Sequence, residues 1–423
     1  MFLIYKFLTI FLYPILILTL YIRTIMLKED PKRFKEKILL SEDQGLTLKK
    51  KFVIWFHGAS IGEISTIIPI IKYLIKSNET LFIIITSVTV SSGKIITEEF
   101  KNNNNVIHRY FPLDVPHLTK KFLNKWNPSL IAFVDSEIWP NFIHEIKKRK
   151  KPLLLVNARI TKKTLKRWLL VKNFSKKIFS SFDISIASSE ESLQNLKELG
   201  SKEIKYFGNL KFFSKTLNNK LSLDARRVLD NFKVWCAAST HEGEDLFFIK
   251  THKELKKIYQ NTLTVIIPRH INRVNSIFSE CLRHNMKAQI INNENEISKV
   301  SEIIIVNSFG VLSKYYDYCR SVFMGKSLLN KFINTGGQNP IEAAKLGCKV
   351  YSGPYVYNFN EVYKYLEKNR MAKRIKTEEE LVKNLLVDFN TLEGRNENDI
   401  NKLDKYGDDI FKKTIREIEN FII

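Results

Sequence analysis

A glutamate directly after a glycine, just past an apolar run, is the most reactive-looking position in this sequence. In Trp55-Phe56-His57-Gly58-Ala59-Ser60-Ile61-Gly62-Glu63 a strand-like run enters a tight turn holding two glycines. Ile64, Ile67, Ile68, Ile71 and Ile75 follow at helical spacing. Pro69 would break a helix interior, so the helix is expected to start after Ser65, where the first amides lack partners anyway. Glu63 then lies at a strand-to-helix corner, where a carboxylate can take the proton of an attacking hydroxyl. A glutamate that only complements the helix dipole fits the same position. His57, by itself, suits a strand-end hydrogen bond, and Ser60 belongs to the same turn.

Other apolar runs end in polar side chains too. Asp135-Ser136-Glu137-Ile138-Trp139-Pro140-Asn141 places two acids and an indole after such a run, either as substrate contacts or as a helix cap. Asn157-Ala158-Arg159 adds a guanidinium that can hold a carboxylate or phosphate by two bonds, or simply meet solvent. In the second half, Ser239-Thr240-His241-Glu242-Gly243-Glu244 opens a helix, where hydroxyls and free amides suit a phosphate and equally suit an N-cap. Pro268-Arg269-His270 adds a cation. Thr335-Gly336-Gly337-Gln338-Asn339-Pro340-Ile341-Glu342 lets backbone approach a ligand, with Pro340 in a first helical turn and Glu342 able to accept from ribose hydroxyls. Three such strand-end motifs together suggest a nucleotide site. No DxD metal motif occurs in the chain.

The elements that must carry these residues are readable from apolar runs. Strand-like runs are Phe52–His57, Leu81–Thr86, Leu130–Val134, Leu153–Val156 and Ile184–Ala187, then Val234–Ala237, Leu263–Ile267, Glu302–Val306, Val322–Met324 and Lys349–Tyr351. Continuous β-branched runs, without alternation, indicate strands buried on both faces of a parallel sheet. Helical stretches such as Ser189–Leu199 and Glu244–Ile258 separate them, so each half is expected to be an α/β, doubly wound domain. The rhythm breaks near Gly208–Leu223. Two domains of this kind facing one another would make a cleft, and open sheets bind ligands beyond the strands' carboxyl ends.

Lysine and arginine number 68 against 44 acids, a formal charge of +24, which calls for an anionic neighbour: nucleic acid, a membrane surface or a phosphorylated substrate. No nucleic-acid-binding module is recognisable, and acidic strand ends would repel a phosphate backbone, so nucleic acid is not the expected partner. Cys236, Cys281, Cys319 and Cys348 are far apart, with neither zinc spacing nor a disulfide framework. Phe7 to Ile22 is apolar between Lys6 and Arg23, and counting from Phe2 gives the length of a spanning helix. No small-residue cleavage site follows. Arg23, Lys28, Lys32, Arg33, Lys35 and Lys37 would hold the downstream chain on the cytoplasmic side. The expected organisation is an anchor at 1–27 and domains at 28–210 and 211–423.

In order, HGASIGE, DSEIWPN, NARI, GNLKF, AASTHEGE, PRH and GGQNPIE resemble the motifs of the Kdo transferases, over about residues 50 to 355. The resemblance implies the GT-B fold, two Rossmann-like domains facing a cleft. It also implies inverting transfer of 3-deoxy-D-manno-oct-2-ulosonic acid (Kdo) from CMP-Kdo to a lipid A precursor (lipid IVA), without a cofactor or required metal. The enzyme would sit at the anionic cytoplasmic face of the inner membrane. Carried over by motif, Glu63 resembles the general base. Ser239, Thr240, Arg269, Gly336, Gly337, Asn339 and Glu342 resemble the donor site, and His57, Ser60, Asp135, Glu137, Asn157, Arg159, Asn209 and Lys211 line the acceptor side or cleft. The chain departs from the family pattern at Asp135-Ser136-Glu137, at Phe213 where an aspartate is usual, at Asn307–Leu312, and at Lys326 where glycine is usual. Another membrane-associated GT-B enzyme with a different nucleotide sugar, or a GT-B-like sugar-nucleotide epimerase, is the alternative.

Overall fold

The computed structural model describes residues 1–39, 52–213, 220–391 and 397–422. Their contacts divide the chain into two units, Met1–Ser214 with Gly407–Ile423, and Lys215–Tyr406. The helix Glu397–Glu419 thus contributes its later part to the first unit, whereas the sequence reading carried the second domain to residue 423. The physical reason is local packing: Phe411 stacks on Phe213 at 3.8 Å and meets Tyr73 edge-on at 5.8 Å. Phe213, which the resemblance marked as a departure, thus supplies a ring for the returning helix.

Unit 1 holds β1 (Phe52–His57), β2 (Leu81–Ser87), β3 (Val106–Tyr110), β4 (Leu130–Val134), β5 (Leu153–Ala158), β6 (Ile184–Ala187) and β7 (Ile204–Tyr206). They form one parallel sheet in the order β3-β2-β1-β4-β5-β6-β7. Every residue of β2 and β4 is buried, as expected for strands covered by helices on both faces. Trp55 centres the core, with the rings of Phe122, Phe133 and Phe142 at 4.7, 5.3 and 5.3 Å. Its indole N–H donates to Thr86 Oγ1 at 2.8 Å, so the buried ring leaves no donor unpaired.

Unit 2 repeats the plan with β8 (Lys233–Thr240), β9 (Thr262–Pro268), β10 (Ala288–Ile291), β11 (Ile303–Val306), β12 (Ser321–Met324), β13 (Lys349–Ser352) and β14 (Ala372–Arg374). Its sheet is also parallel, in the order β10-β11-β9-β8-β12-β13-β14. Two such sheets with alternating helices are the GT-B architecture expected from the sequence.

The expected anchor is a helix, α1 (Phe2–Ile25), long and apolar enough to cross a membrane by length and composition. It belongs to unit 1 rather than forming a separate piece. Tyr5 donates to Asp114 Oδ2 at 2.9 Å, and Leu20 packs with Phe34 and Ile38.

Gly353 closes the turn after β13 against the loop after β12, its N–H donating to Ser327 Oγ at 2.8 Å. A Cβ there would run into the Ser327 carbonyl and lie 2.7 Å from Leu328 Cα. Both obstacles are backbone, so Gly353→Ala is expected to destabilise unit 2 by about 1–3 kcal/mol. Thermal denaturation followed by tryptophan fluorescence checks this; an unshifted midpoint would show that the loop yields freely.

Candidate active site

In the first sheet strand order reverses between β1 and β4, the place where open parallel sheets bind ligands. His57 ends β1, and Asp135 and Glu137 follow β4, so both motifs flank that point. The helix after β1, α2, spans Ile61–Ser77 and so starts well before Ser65. Ser60 is its N-cap. The Ser60 hydroxyl oxygen accepts from the Glu63 N–H at 3.4 Å, while Glu63 Oε2 accepts from the Ala59 and Ser60 N–H groups at 2.6 and 3.4 Å. This reciprocal cap outweighs Pro69, which stays inside the helix and removes only the amide that would have bonded the Ser65 carbonyl. Glu63 thus caps α2, and its half-buried carboxyl lies at the strand end.

Glu63 is electrostatically unlike its neighbours. Burial first, then the charges of Asp135 and Glu137, push its pKa up to about 7, against the opposing bonds from Ala59 and Ser60. For Glu137, burial also acts upward, yet the His57 bond and charge and the Trp139 bond bring it below the ordinary value. His57 Nε2 lies 3.1 Å from Glu137 Oε2, and Trp139 Nε1 donates to the same oxygen at 2.8 Å. The His57 ring is fully buried, stacks on Phe111 at 3.8 Å, and sets Nδ1 3.0 Å from Thr86 Oγ1.

A second cluster forms at the ends of β4 and β5. Asn157 Nδ2 donates to Asp135 Oδ1 at 2.6 Å, and Lys211 Nζ lies 3.6 Å from Asp135 Oδ2. Asn157 Oδ1 accepts from the Leu210 N–H at 3.0 Å, and Asn209 Oδ1 accepts from the Lys211 N–H at 3.0 Å. Arg159 joins through its backbone, whose N–H donates to the Asp135 carbonyl at 3.0 Å. The acceptor-side residues named from sequence thus fall into three linked groups: Ser60–Glu63, His57–Glu137 and Asp135–Asn157–Lys211, with Asn209 bracing the last and Arg159 tied to it.

In unit 2 strand order reverses between β8 and β12. Ser239 and Thr240 close β8 and are buried. The Thr240 carbonyl accepts from the Arg269 N–H at 3.1 Å and from Arg273 Nη1 at 3.0 Å, so the ends of β8 and β9 are held together. The Arg269 side chain is exposed. Gly336 and Gly337 pass close to other backbone. The Gly337 N–H donates to the Lys326 carbonyl at 2.8 Å, and its φ of 92° puts it in the left-handed region. Asn339 Oδ1 accepts from the Ile341 N–H at 3.1 Å, ahead of the short helix Ile341–Lys345. Pro340 is that helix's N-cap, just outside the first turn expected for it. Burial raises the pKa of the half-buried Glu342.

Glu244 carries more structure than its motif suggested. Its fully buried carboxylate accepts from the N–H groups of His241, Lys326, Ser327 and Leu328 at 2.9, 2.7, 2.8 and 3.1 Å. Burial raises its pKa and these four bonds oppose the rise. It clamps the loop after β12 to the loop after β8. Arg273, paired with Asp245, was also not singled out from sequence. An acid just ahead of an apolar helix was the available signal for Glu244. Among the described residues, no group of three or more His, Cys, Asp or Glu side chains is arranged to hold a metal ion.

Two parallel sheets of this order, with polar side chains gathered at their strand ends, define a protein of the GT-B class. The family model described as 3-Deoxy-D-manno-octulosonic-acid transferase (kdotransferase) matches residues 32–214. A 3-deoxy-D-manno-octulosonic acid transferase of Rickettsia bellii is 31% identical over 380 residues, 89% of this chain and 88% of that protein. Among solved structures, a glycosyltransferase from Rickettsia africae superposes with a TM-score of 0.55 at 14% identity, covering 88% of this chain and 98% of that one. A UDP-GlcNAc 2-epimerase from Neisseria meningitidis gives 0.55 at 12% identity, covering 88% and 99%. At such identities these two show the fold alone. The chain belongs to the 3-deoxy-D-manno-octulosonic acid transferase family.

Glu244→Gln exchanges an acceptor oxygen for an amide that must face N–H donors. It is expected to cost about 1–3 kcal/mol for the donors left unpaired. Faster hydrogen exchange at Lys326–Leu328 and a lowered melting midpoint check this; unchanged exchange there would show that the clamp is not needed.

Proposed function

We propose that this chain transfers Kdo from CMP-Kdo to a lipid A precursor, lipid IVA, with inversion, at the cytoplasmic face of the inner membrane. Family membership supports the transferred sugar. The observation that carries the mechanism is Glu63, half-buried at the reversal point of the first sheet, its pKa pushed up to about 7 by burial first and then by two neighbouring acids. Glu63 takes the proton from a primary hydroxyl of the acceptor. The freed oxygen bonds to the ketosidic carbon of Kdo, the bond from that carbon to the phosphate oxygen breaks, and its electron pair leaves with CMP. Acceptor chemistry is assigned to unit 1, with His57 and Glu137 fixing the charge beside Glu63, and Ser60, Asp135, Asn157, Arg159, Asn209 and Lys211 shaping the surroundings.

The nucleotide is assigned to unit 2. Arg269 and amides near Ser239, Thr240, Gly336 and Gly337 would take the charge on the departing phosphate, and Asn339 and Glu342 would hold the nucleoside. Fixed cations and amides aimed at developing charge stabilise it without reorganisation, so the proposal needs no dication. α1 is proposed as the membrane contact, and the excess of lysine suits both a phosphorylated lipid acceptor and anionic headgroups.

Glu63→Gln is expected to fold and bind CMP while transfer falls by about 10²–10⁴-fold. Mass spectrometry of a tetraacylated lipid A precursor incubated with CMP-Kdo generated in situ measures this; near-normal turnover removes Glu63 from the role. The base works ionised, so activity should rise with pH through about 7. Taking away a neighbouring negative charge lowers the Glu63 pKa. Glu137→Gln is therefore expected to move this acid limb of kcat/KM to lower pH, and an unmoved or raised limb would contradict the electrostatic coupling.

A further inference from the structure

Two opposite stripes run along α1. Phe2, Tyr5, Thr9, Tyr13, Ile17 and Leu20 recur every three or four residues and turn towards the rest of unit 1. Phe2 lies on His144 at 4.1 Å between ring centroids, and Tyr5 bonds Asp114. Asn141 Nδ2 donates to Thr9 Oγ1 at 3.1 Å, and Tyr13 meets His117 edge-on at 4.7 Å. Leu3, Phe7, Phe11, Leu18, Ile22 and Ile25 form the other stripe, all hydrocarbon and all exposed, with Phe11 at 77% and Ile25 at 81%. Tyr5, Thr9 and Tyr13 thus put their polar atoms on the docked side, and the exposed Thr19 hydroxyl is satisfied within the helix by the Ile15 carbonyl at 2.8 Å.

The docking runs nearly the whole helix, from Phe2 to Tyr21, whose ring meets Phe34 at 5.1 Å. At 1.5 Å per residue, 24 residues measure about 36 Å, enough to span a bilayer. A spanning orientation would carry the attached helices Pro116–Trp126, Pro140–Lys148 and Lys172–Phe179 into hydrocarbon, together with Lys120, Lys121, Lys147, Lys148, Lys176 and Lys177. Cations also occur at both ends of α1. Lys6, Lys148 and Lys177 surround His144 at one end, and Arg23, Lys28 and Lys32 follow at the other. A spanning helix usually carries an excess of cations at its cytoplasmic end, and cations at both ends give no such bias. Beyond the helix, Leu170 is 84% exposed between the basic helices Lys162–Leu169 and Lys172–Phe179. It is two residues from Trp168, whose ring lies 6.2 Å from that of Phe174, itself a neighbour of Phe2 and Tyr5.

We propose that α1 is monotopic: it lies in the plane of a single leaflet, with Leu3, Phe7, Phe11, Leu18 and Ile22 among the acyl chains and the cations at both its ends on one anionic headgroup layer. Leu170 and its flanking lysines extend the same contact. This deepens the membrane contact proposed above and depends on it.

The test uses the full-length chain in sealed inner-membrane vesicles. One variant has a cysteine ahead of Met1, another is Lys28→Cys, and the four native cysteines, all buried, set the background. A membrane-impermeant maleimide is expected to label both sites only in inside-out vesicles. Labelling of the leading cysteine only in right-side-out vesicles would mean that α1 spans, and would overturn the proposal. In parallel, Phe7→Ser/Phe11→Ser is expected to weaken binding to phosphatidylethanolamine–phosphatidylglycerol vesicles at least tenfold with an unchanged melting midpoint; undiminished binding would remove the outward stripe from the contact. Absence of vesicle binding by the unaltered protein would instead sink the membrane contact itself, leaving the transfer chemistry untouched.

Discussion

Burial raises the free energy of an ionised carboxylate, and the acids at the strand ends meet that constraint with different partners. Glu244 is surrounded by four amide donors and becomes a clamp. Asp135 is held by Asn157 and Lys211. Glu137 takes an imidazole and an indole N–H, which bring it below the ordinary carboxylate range despite its burial. Glu63 has the cap bonds of its own helix start and two charged acids as neighbours, and its proton is held to about pH 7. Glu137 and Glu63 thus differ in their neighbours: an imidazole and an indole N–H bring one down, while burial and two acids push the other up. The His57–Glu137 bond matters twice in this scheme: it keeps Glu137 ionised, and that ionisation raises Glu63.

Backbone strain aims these groups. Asp135, Asn157, Ser239 and Lys326 have φ between 53° and 59°, a conformation costing about 1–2 kcal/mol for most L-residues. All four lie at the carboxyl ends of β4, β5, β8 and β12. At two of them the pairing slips: register shifts between Leu155 and Ala158, and between Ala238 and Thr240. An extra residue in a strand end re-aims the side chains that follow, and here those include Arg159 and Thr240. Asn and Asp tolerate this backbone well, whereas Lys326 does not gain from it. Its left-handed φ is one that glycine would adopt at less cost.

The ten strands legible as apolar runs are the interior of both sheets. The four that were not, β3, β7, β10 and β14, are the outermost strands among the described residues. An edge strand is covered less completely, so it need not be a continuous apolar run: β7 has no fully buried residue, and β14 likewise has none. The site residues were legible where a polar cluster directly follows a strand, because parallel topology gathers such ends on one side. Pro69 misled because its helix-breaking tendency was weighed without the Ser60–Glu63 cap that fixes the start. Glu244 went unassigned because three of its four partners are backbone amides more than eighty residues away, which no local pattern contains.

The same bond network that seats α1 also reaches the acidic loop. Asp114 accepts from Tyr5 on α1 and, through both carboxylate oxygens, from the N–H groups of Asn141 and Phe142 at 3.1 and 2.9 Å. Those amides open the helix Pro140–Lys148, directly after Asp135–Trp139. Burial first pushes the Asp114 pKa up to about 6, against the opposing bonds from Asn141, Tyr5 and Phe142. Thr9 on α1 bonds the Asn141 side chain as well. α1 is therefore tied, through one buried carboxylate, to the start of the helix that carries Glu137 and Trp139 at its head. For the lipid acceptor proposed above, this tie would set the height of the acidic loop relative to α1, and so relative to a leaflet in which α1 lies.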